Sequence, residues 1–155
     1  MTKLTLLLFC LAAAFALYPS WRVTACTTDS VNYISIAENI VHGKGAVNFT
    51  GRVEMVHPFG YSLAMVPFVA LGVPSQSAAL YVNWLALVVV GVMAWLLIRD
   101  MTGLTDWRVT AGALFVIVTP PVSTFANAVL SETMFAALTM TFLRLCVKVR
   151  QSDAG

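Results

Sequence analysis

Charge is what this sequence is short of. Only 10% of its 155 residues are charged, against 59% hydrophobic, whereas a soluble domain needs roughly a quarter charged residues. That shortage excludes an ordinary soluble surface and points to an integral membrane protein. The net charge of +2 is too small for a nucleic-acid-binding surface, and the basic residues gather near the ends of apolar runs, where topology accounts for them. Cysteine and histidine are scarce as well, at three and two residues. Cys10 and Cys146 lie inside apolar runs, Cys26 lies outside them, and neither CxxC nor a Cys/His ligand spacing occurs. No disulfide framework and no zinc site are supported.

What the chain does have is apolar runs of membrane length on either side of one hydrated stretch, Asp29 to Tyr61. Three of the seven acidic residues (Asp29, Glu38, Glu54) and both histidines (His42, His57) lie inside it.

The first run, 4–19, follows Lys3 and closes at Pro19. It is at the short end for a spanning helix and long enough for the core of a signal peptide. Val23-Thr24-Ala25-Cys26 is similar to a lipoprotein cleavage box, but Trp21 and Arg22 separate it from the apolar core, so a retained first helix is expected. Further spans are expected at 77–98, 109–125 (interrupted by Pro120-Pro121) and 129–147, which ends among Arg144, Lys148 and Arg150.

The external loop, 20–76, is expected to hold two surface helices. Over 31–42, Tyr33, Ile34, Ile36, Ala37, Ile40 and Val41 share one side, and Asn32, Ser35, Glu38, Asn39 and His42 share the other, an amphipathic pattern. Thr28 or Asp29 is placed to cap its start and Gly43 to end it. Too short to span, it is expected to lie on the membrane with its Ile36/Ile40 side toward lipid. Lys44 to Val56 reads as loop, with a glycosylation-type Asn48-Phe49-Thr50. The second surface helix, 58–71, starts at Pro58 and reaches only about 21 Å, short of the ~30 Å hydrocarbon core. If it crossed, the Arg99/Arg108 loop and the Lys148/Arg150 tail would lie outside, against the positive-inside rule. The fold expected is therefore an all-α integral membrane protein. It has about four transmembrane helices, two amphipathic surface helices in the first external loop, and both termini cytoplasmic.

Under that topology Asp29, His57 and Glu132 share the outer boundary. Two carboxylates and an imidazole there are what a transfer reaction needs: a base for an acceptor hydroxyl and groups to hold a phosphate or a metal. Each also has a plainer role. Asp29 can cap its helix, Ser131-Glu132 can start the last one, and His57 can be a solvated neighbour of Pro58. Asn83, inside a span, more often bonds a neighbouring helix than a substrate. His42, Lys44 and Arg52 suit solvated loop positions or lipid headgroups.

The order of these pieces resembles the polytopic glycosyltransferases that use polyprenyl-phosphate-linked sugars, the group of protein O-mannosyltransferases and lipid A aminoarabinose transferases. The resemblance rests on Asp29, Tyr33, Ala37 and Gly43; on His57, Pro58, Phe59, Gly60 and Tyr61; and on Ser131, Glu132 and Phe135. It implies Asp29 as general base or acceptor-positioning acid and Glu132 as a second acid. His57 would contact the donor phosphate, with Tyr33 and Tyr61 also among the substrate-binding positions. A divalent metal would fall to Asp29, Glu54 and Glu132, although Glu54 stands three residues before His57, where some relatives place the acid immediately before. Phe59 replaces a second proline. The resemblance further implies a polyprenyl-phosphate sugar donor, a lipid, glycan or protein acceptor, and a place in the cell (inner) membrane. Such enzymes carry many more spans than four, so 1–155 reads as the N-terminal module of a longer one. A non-enzymatic multi-pass protein, an assembly partner or lipid-binding scaffold, is the alternative.

Overall fold

A computed structural model describes residues 1–18, 26–53 and 59–153. Among them are seven helices: α1 (Lys3–Ala16), α2 (Thr28–Val41), α3 (Gly60–Ala70), α4 (Ser75–Thr102), α5 (Trp107–Val118), α6 (Pro120–Ala126) and α7 (Glu132–Asp153). Among the described residues no strand forms beyond an isolated Val47–Val53 bridge in the loop after α2. The fold is all-α.

The expected set of four spans needs correction, because among the described residues one helix, Ser75–Thr102, is long and apolar enough to cross a membrane. Its 28 residues reach about 42 Å at 1.5 Å per residue. The first run stops as a helix at Ala16 rather than reaching Pro19, leaving 14 residues and about 21 Å. The run 109–125 is two helices, since Pro120 cannot continue α5 past Thr119. The last run starts as a helix at Glu132, and Arg144, Lys148 and Arg150 crowd its second half.

The other helices arrange themselves around α4. α1 and α5 run antiparallel to it: Phe9 packs with Ala94, Trp95, Val109, Ala113 and Ile117, and Ala13 and Leu17 pack with Leu87 and Ala126. α7 runs parallel to it, with Ala137 against Ala86 and Val90. Small residues on α4 let the helices approach closely. At Gly91 a Cβ would stand 2.5 Å from Ile117 Cδ1 and 3.2 Å from Phe9 Cγ, so α1, α4 and α5 meet there without room for a side chain.

This arrangement gives the bundle two unlike ends. At one end Asp100, its side chain 5% exposed, is flanked by Arg99 at 2.8 Å and by Arg144 and Lys148 of α7 at 3.5 Å each. Gln151 Nε2 donates to the Asp100 carbonyl, and Asp106 caps α5 through the Arg108 backbone N–H. At the other end sit α2, α3 and the 126–132 segment.

α2 and α3 depart from the expected arrangement. Tyr33, Ile36 and Ala37 of α2 are buried, and Tyr33 and Ala37 pack on Tyr61, Met65, Ala78, Ala79, Val82 and Val129. The expected Ile36 side of α2 thus faces protein, not lipid. An amphipathic period records only that one face avoids water; it carries no information on what covers that face. α2 is capped by Thr27, which forms a capping box with Ser30, not by Thr28 or Asp29. The expected start of the second surface helix at Pro58 lies outside the described residues, and α3 proper begins at Gly60.

Candidate functional site

Three hydrogen bonds assemble the end that carries α2 and α3. Ser30 Oγ donates to the Val129 carbonyl at 2.9 Å, the Tyr33 and Ser131 hydroxyls lie 3.1 Å apart, and Ser62 Oγ donates to the Tyr33 carbonyl at 3.0 Å. Met134 Cε lies 3.8 Å from where a Gly60 Cβ would be. The N-terminal turns of α2 and α3 and the start of α7 therefore lie close together.

Asp29 stands in the first turn of α2, half-buried, next to the Ser30–Val129 bond. Glu132 opens α7, exposed, next to the Tyr33–Ser131 bond. The two acids expected to share one face are thus on neighbouring helix starts. Because Thr27 caps α2, Asp29 is not needed as the cap, and as a first-turn acid it complements the helix dipole.

The two tyrosines occupy the layer beneath. Tyr61 is fully buried and Tyr33 is 4% exposed, with their rings edge to face at 5.2 Å. The Tyr61 hydroxyl donates to Asn83 Oδ1 at 3.0 Å. Burial pushes the Tyr61 phenol far above its ordinary value, aided by the nearby Glu132 charge, so it stays neutral as a donor. Asn83 in turn donates from Nδ2 to the carbonyls of Ala126 at 2.9 Å and Ala128 at 2.8 Å. A fully buried amide thereby joins α4, α3 and the α6–α7 connection, the neighbour-bonding role its sequence position suggests. Tyr61 and Tyr33 support the first-turn acids from below; neither is displayed on the surface.

His57 and Glu54 lie outside the described residues. Among the described residues no three His, Cys, Asp or Glu side chains come together. Of the acids that the resemblance offers a divalent ion, Asp29 and Glu132 are the described ones, and no step is routed through the ion.

Sequence reasoning missed Thr133. It is 2% exposed, its hydroxyl has no hydrogen-bond partner among the described residues, and with Val122, Phe125, Glu132 and Ala136 it lines a cavity of about 120 Å³ between α6 and α7. The available signal was helical spacing: Thr133 shares the inward face with Ala137, four residues on, while Glu132 turns outward. Comparisons with protein-family models, with curated proteins and with solved structures return no match.

Proposed function

We propose that this protein is a membrane glycosyltransferase that moves a sugar from a polyprenyl-phosphate donor to a lipid, glycan or protein acceptor on the outer face of the cell (inner) membrane. The observation that carries the reading is the nearness of the two helix starts that bear Asp29 and Glu132. Hydrogen bonds at Ser30–Val129 and Tyr33–Ser131 bring their helix starts together across about a hundred residues of chain.

Membrane embedding is supported by what the helices turn outward. Leu4, Leu7, Leu11 and Phe15 on α1, Phe115 on α5, and Phe135, Leu138, Phe142 and Leu145 on α7 are each more than half exposed. In water such a belt far exceeds the apolar patches of a soluble monomer; in hydrocarbon it is the expected surface. In this reading α4 is the full-length span and α1, α5–α6 and α7 are shorter helices packed around it. Antiparallel α1 and α5 and parallel α7 put Lys3, Arg99, Arg108 and Lys148 at one end, which fits the cytoplasm.

In the reaction the acceptor oxygen forms a bond to the sugar's anomeric carbon as the bond to the phosphate oxygen breaks, and the lipid phosphate leaves with the electron pair. Asp29 takes the acceptor proton, and Glu132 orients the acceptor. A positioned base of this kind contributes on the order of 10²- to 10⁴-fold. A helix N-terminus among these starts would favour the phosphate's negative charge, with His57 as its further contact. The test supplies a polyprenyl-phosphate sugar, labelled in the sugar, to proteoliposomes of the complete natural gene product. Label appearing on an acceptor lipid, glycan or peptide is the expected result; intact donor in the presence of folded protein would return the protein to the assembly-partner or lipid-scaffold class.

A further inference from the structure

The seam between α4 and α7 is apolar for most of its length and cationic at one end. Toward the α3 end it opens as a groove of about 280 Å³ whose lining includes Phe68, Val82, Val89, Ala137, Leu138 and Thr141. Val89 is 38% and Leu138 60% exposed, so the groove lies open on the outside of the bundle. At the other end Arg144 and Lys148 of α7 reach across to Asp100 of α4. Asp100 stands about three helical turns beyond Val89, and Lys148 about three turns beyond Ala137. The groove and the charges therefore lie on the same stripe of each helix.

The charges at that end do not balance. Asp100 is buried, and its Oδ1 takes both the Nε and the Nη2 donors of Arg99, at 3.1 and 2.8 Å. Arg144 Nε and Lys148 Nζ stand 3.5 Å from Oδ2, too far for a sound hydrogen bond. One carboxylate needs one counter-charge, and Arg99 supplies it. Two positive charges are left over at a helix seam, where like charges repel and removal from water is unfavourable. Arg99, Arg144 and Lys148 keep 32%, 24% and 47% of their side chains exposed, so their outer parts remain within reach of a ligand. The positive-inside rule asks only that cations flank the spans; it does not ask them to converge on one seam. An anion that joins them there completes the set.

We infer that the seam holds one anionic glycerophospholipid of the cytoplasmic leaflet, its phosphate on Arg144 and Lys148 and one acyl chain in the groove. The inference rests on the membrane embedding proposed above and not on the transfer reaction. Charge complementarity selects the head: a phosphodiester brings the negative charge that the surplus calls for, and a basic pocket between helices on the cytoplasmic side is the usual form of such a head-group site. Length selects the leaflet. Half of the ~30 Å hydrocarbon core is about 15 Å, which is about ten residues of helix, so an acyl chain whose head sits at Lys148 ends beside Leu138, inside the groove. Trp107, 75% exposed at the start of α5, marks the headgroup level at this same end. The donor's phosphate, by contrast, belongs at the opposite end with Asp29 and Glu132.

The experiment uses the complete gene product, delipidated in a non-ionic detergent, and native mass spectrometry with dioleoyl phosphatidylglycerol and with dioleoyl phosphatidylcholine, which has the same chains and no net charge. Phosphatidylglycerol should bind at one saturable site about tenfold or more tightly than phosphatidylcholine. Lys148→Gln should weaken it about fivefold, the worth of one cation at a lipid surface, and Arg144→Gln combined with Lys148→Gln should bring it down to phosphatidylcholine. Arg150→Gln removes a cation of the same end that lies almost opposite Lys148 on α7; it should change nothing, which separates a site from a generally basic surface. Val89→Trp, which fills the groove, should weaken both lipids. Lys148→Gln leaves the Arg99–Asp100 pair intact, so without lipid it should melt as the parent does, and lost binding cannot be blamed on lost folding. Equal affinity for the two lipids, or a preference that survives the double substitution, overturns the inference. Displacement of phosphatidylglycerol by millimolar inorganic phosphate also overturns it, in favour of a free-anion site, and displacement by an equal concentration of polyprenyl phosphate gives the groove to the donor's chain instead. The lipid preference in a protein that transfers no sugar would uphold the inference while overturning the transferase.

Discussion

The Tyr33 hydroxyl meets the Ser131 hydroxyl at 3.1 Å across 98 positions of sequence. With the Ser30–Val129 bond one turn away, it fixes the start of α2 against the start of α7. Any chemistry shared by Asp29 and Glu132 depends on that junction. Beneath it the junction is held by Tyr61 and Asn83, so disturbance at depth should reach the surface acids.

Asn83→Leu tests that support. The substitution fills the space but leaves the Ala126 carbonyl without its Asn83 donor, the Ala128 carbonyl with only the Leu130 N–H at 2.9 Å, and the Tyr61 hydroxyl without its main acceptor. Buried groups left unpaired are unfavourable by about 1–3 kcal/mol each, although the Tyr61 hydroxyl retains the Ala79 carbonyl at 3.4 Å. The expected loss is about 2–4 kcal/mol, read as a lower melting temperature in detergent. An unchanged melting temperature would mean that water satisfies these groups without the amide.

Gly91→Val tests the crossing of α1, α4 and α5. Its Cβ would fall on the end of Ile117, which can rotate away, and beside the Phe9 ring, which is fully buried. Overpacking of this kind costs about 1–3 kcal/mol, and Gly91→Ala should cost less. Thermal unfolding of the two variants should rank them in that order; equal melting would show that the helices part easily at this point.

The ends of the bundle should face opposite sides of the membrane. In a cysteine-free background, Phe49→Cys in the loop after α2 should react with an impermeant maleimide in intact cells. Thr105→Cys between α4 and α5 should react only after permeabilisation. Both positions are exposed, so a silent Thr105→Cys cannot be attributed to burial. Labelling of Thr105→Cys from outside would invert the bundle and require α3 to cross.

Much of this architecture was legible in the sequence, and the exceptions share one cause. α4 announced itself as an uncharged run with Arg99-Asp100 at its end, and the shared end of Lys3, Arg99, Arg108 and Lys148 followed from charge alone. That the start of α2 lies at the same end of the bundle as the start of α7 was likewise legible through topology. What failed needed knowledge of neighbours. The apolar side of α2 was assigned to lipid because periodicity cannot distinguish a lipid from α3. The cap was assigned to Thr28 or Asp29 because four consecutive residues, Thr27 to Ser30, can all cap, and the choice of Thr27 depends on Ser30 turning inward to Val129. The run 109–125 was read through its prolines as one span, whereas Thr119 ends α5. Thr133 was passed over because a lone threonine carries no pattern until its missing partner is visible.

The central claim is that the Asp29 carboxylate acts on the acceptor, and Asp29→Asn tests it most directly. The substitution keeps size and removes charge, and the start of α2 does not depend on it, since Thr27 and Ser30 form the capping box. The variant should insert and melt as the parent does, yet transfer sugar from the polyprenyl-phosphate donor at least a hundredfold more slowly, within the range for loss of a positioned base. Glu38→Gln on the same helix should transfer normally, because a glutamine carbonyl can still accept from Ser75 Oγ as the carboxylate does at 2.6 Å. Near-normal transfer by Asp29→Asn, measured with the complete natural gene product in proteoliposomes, would contradict the account and leave Asp29 a first-turn acid that only complements the dipole of α2.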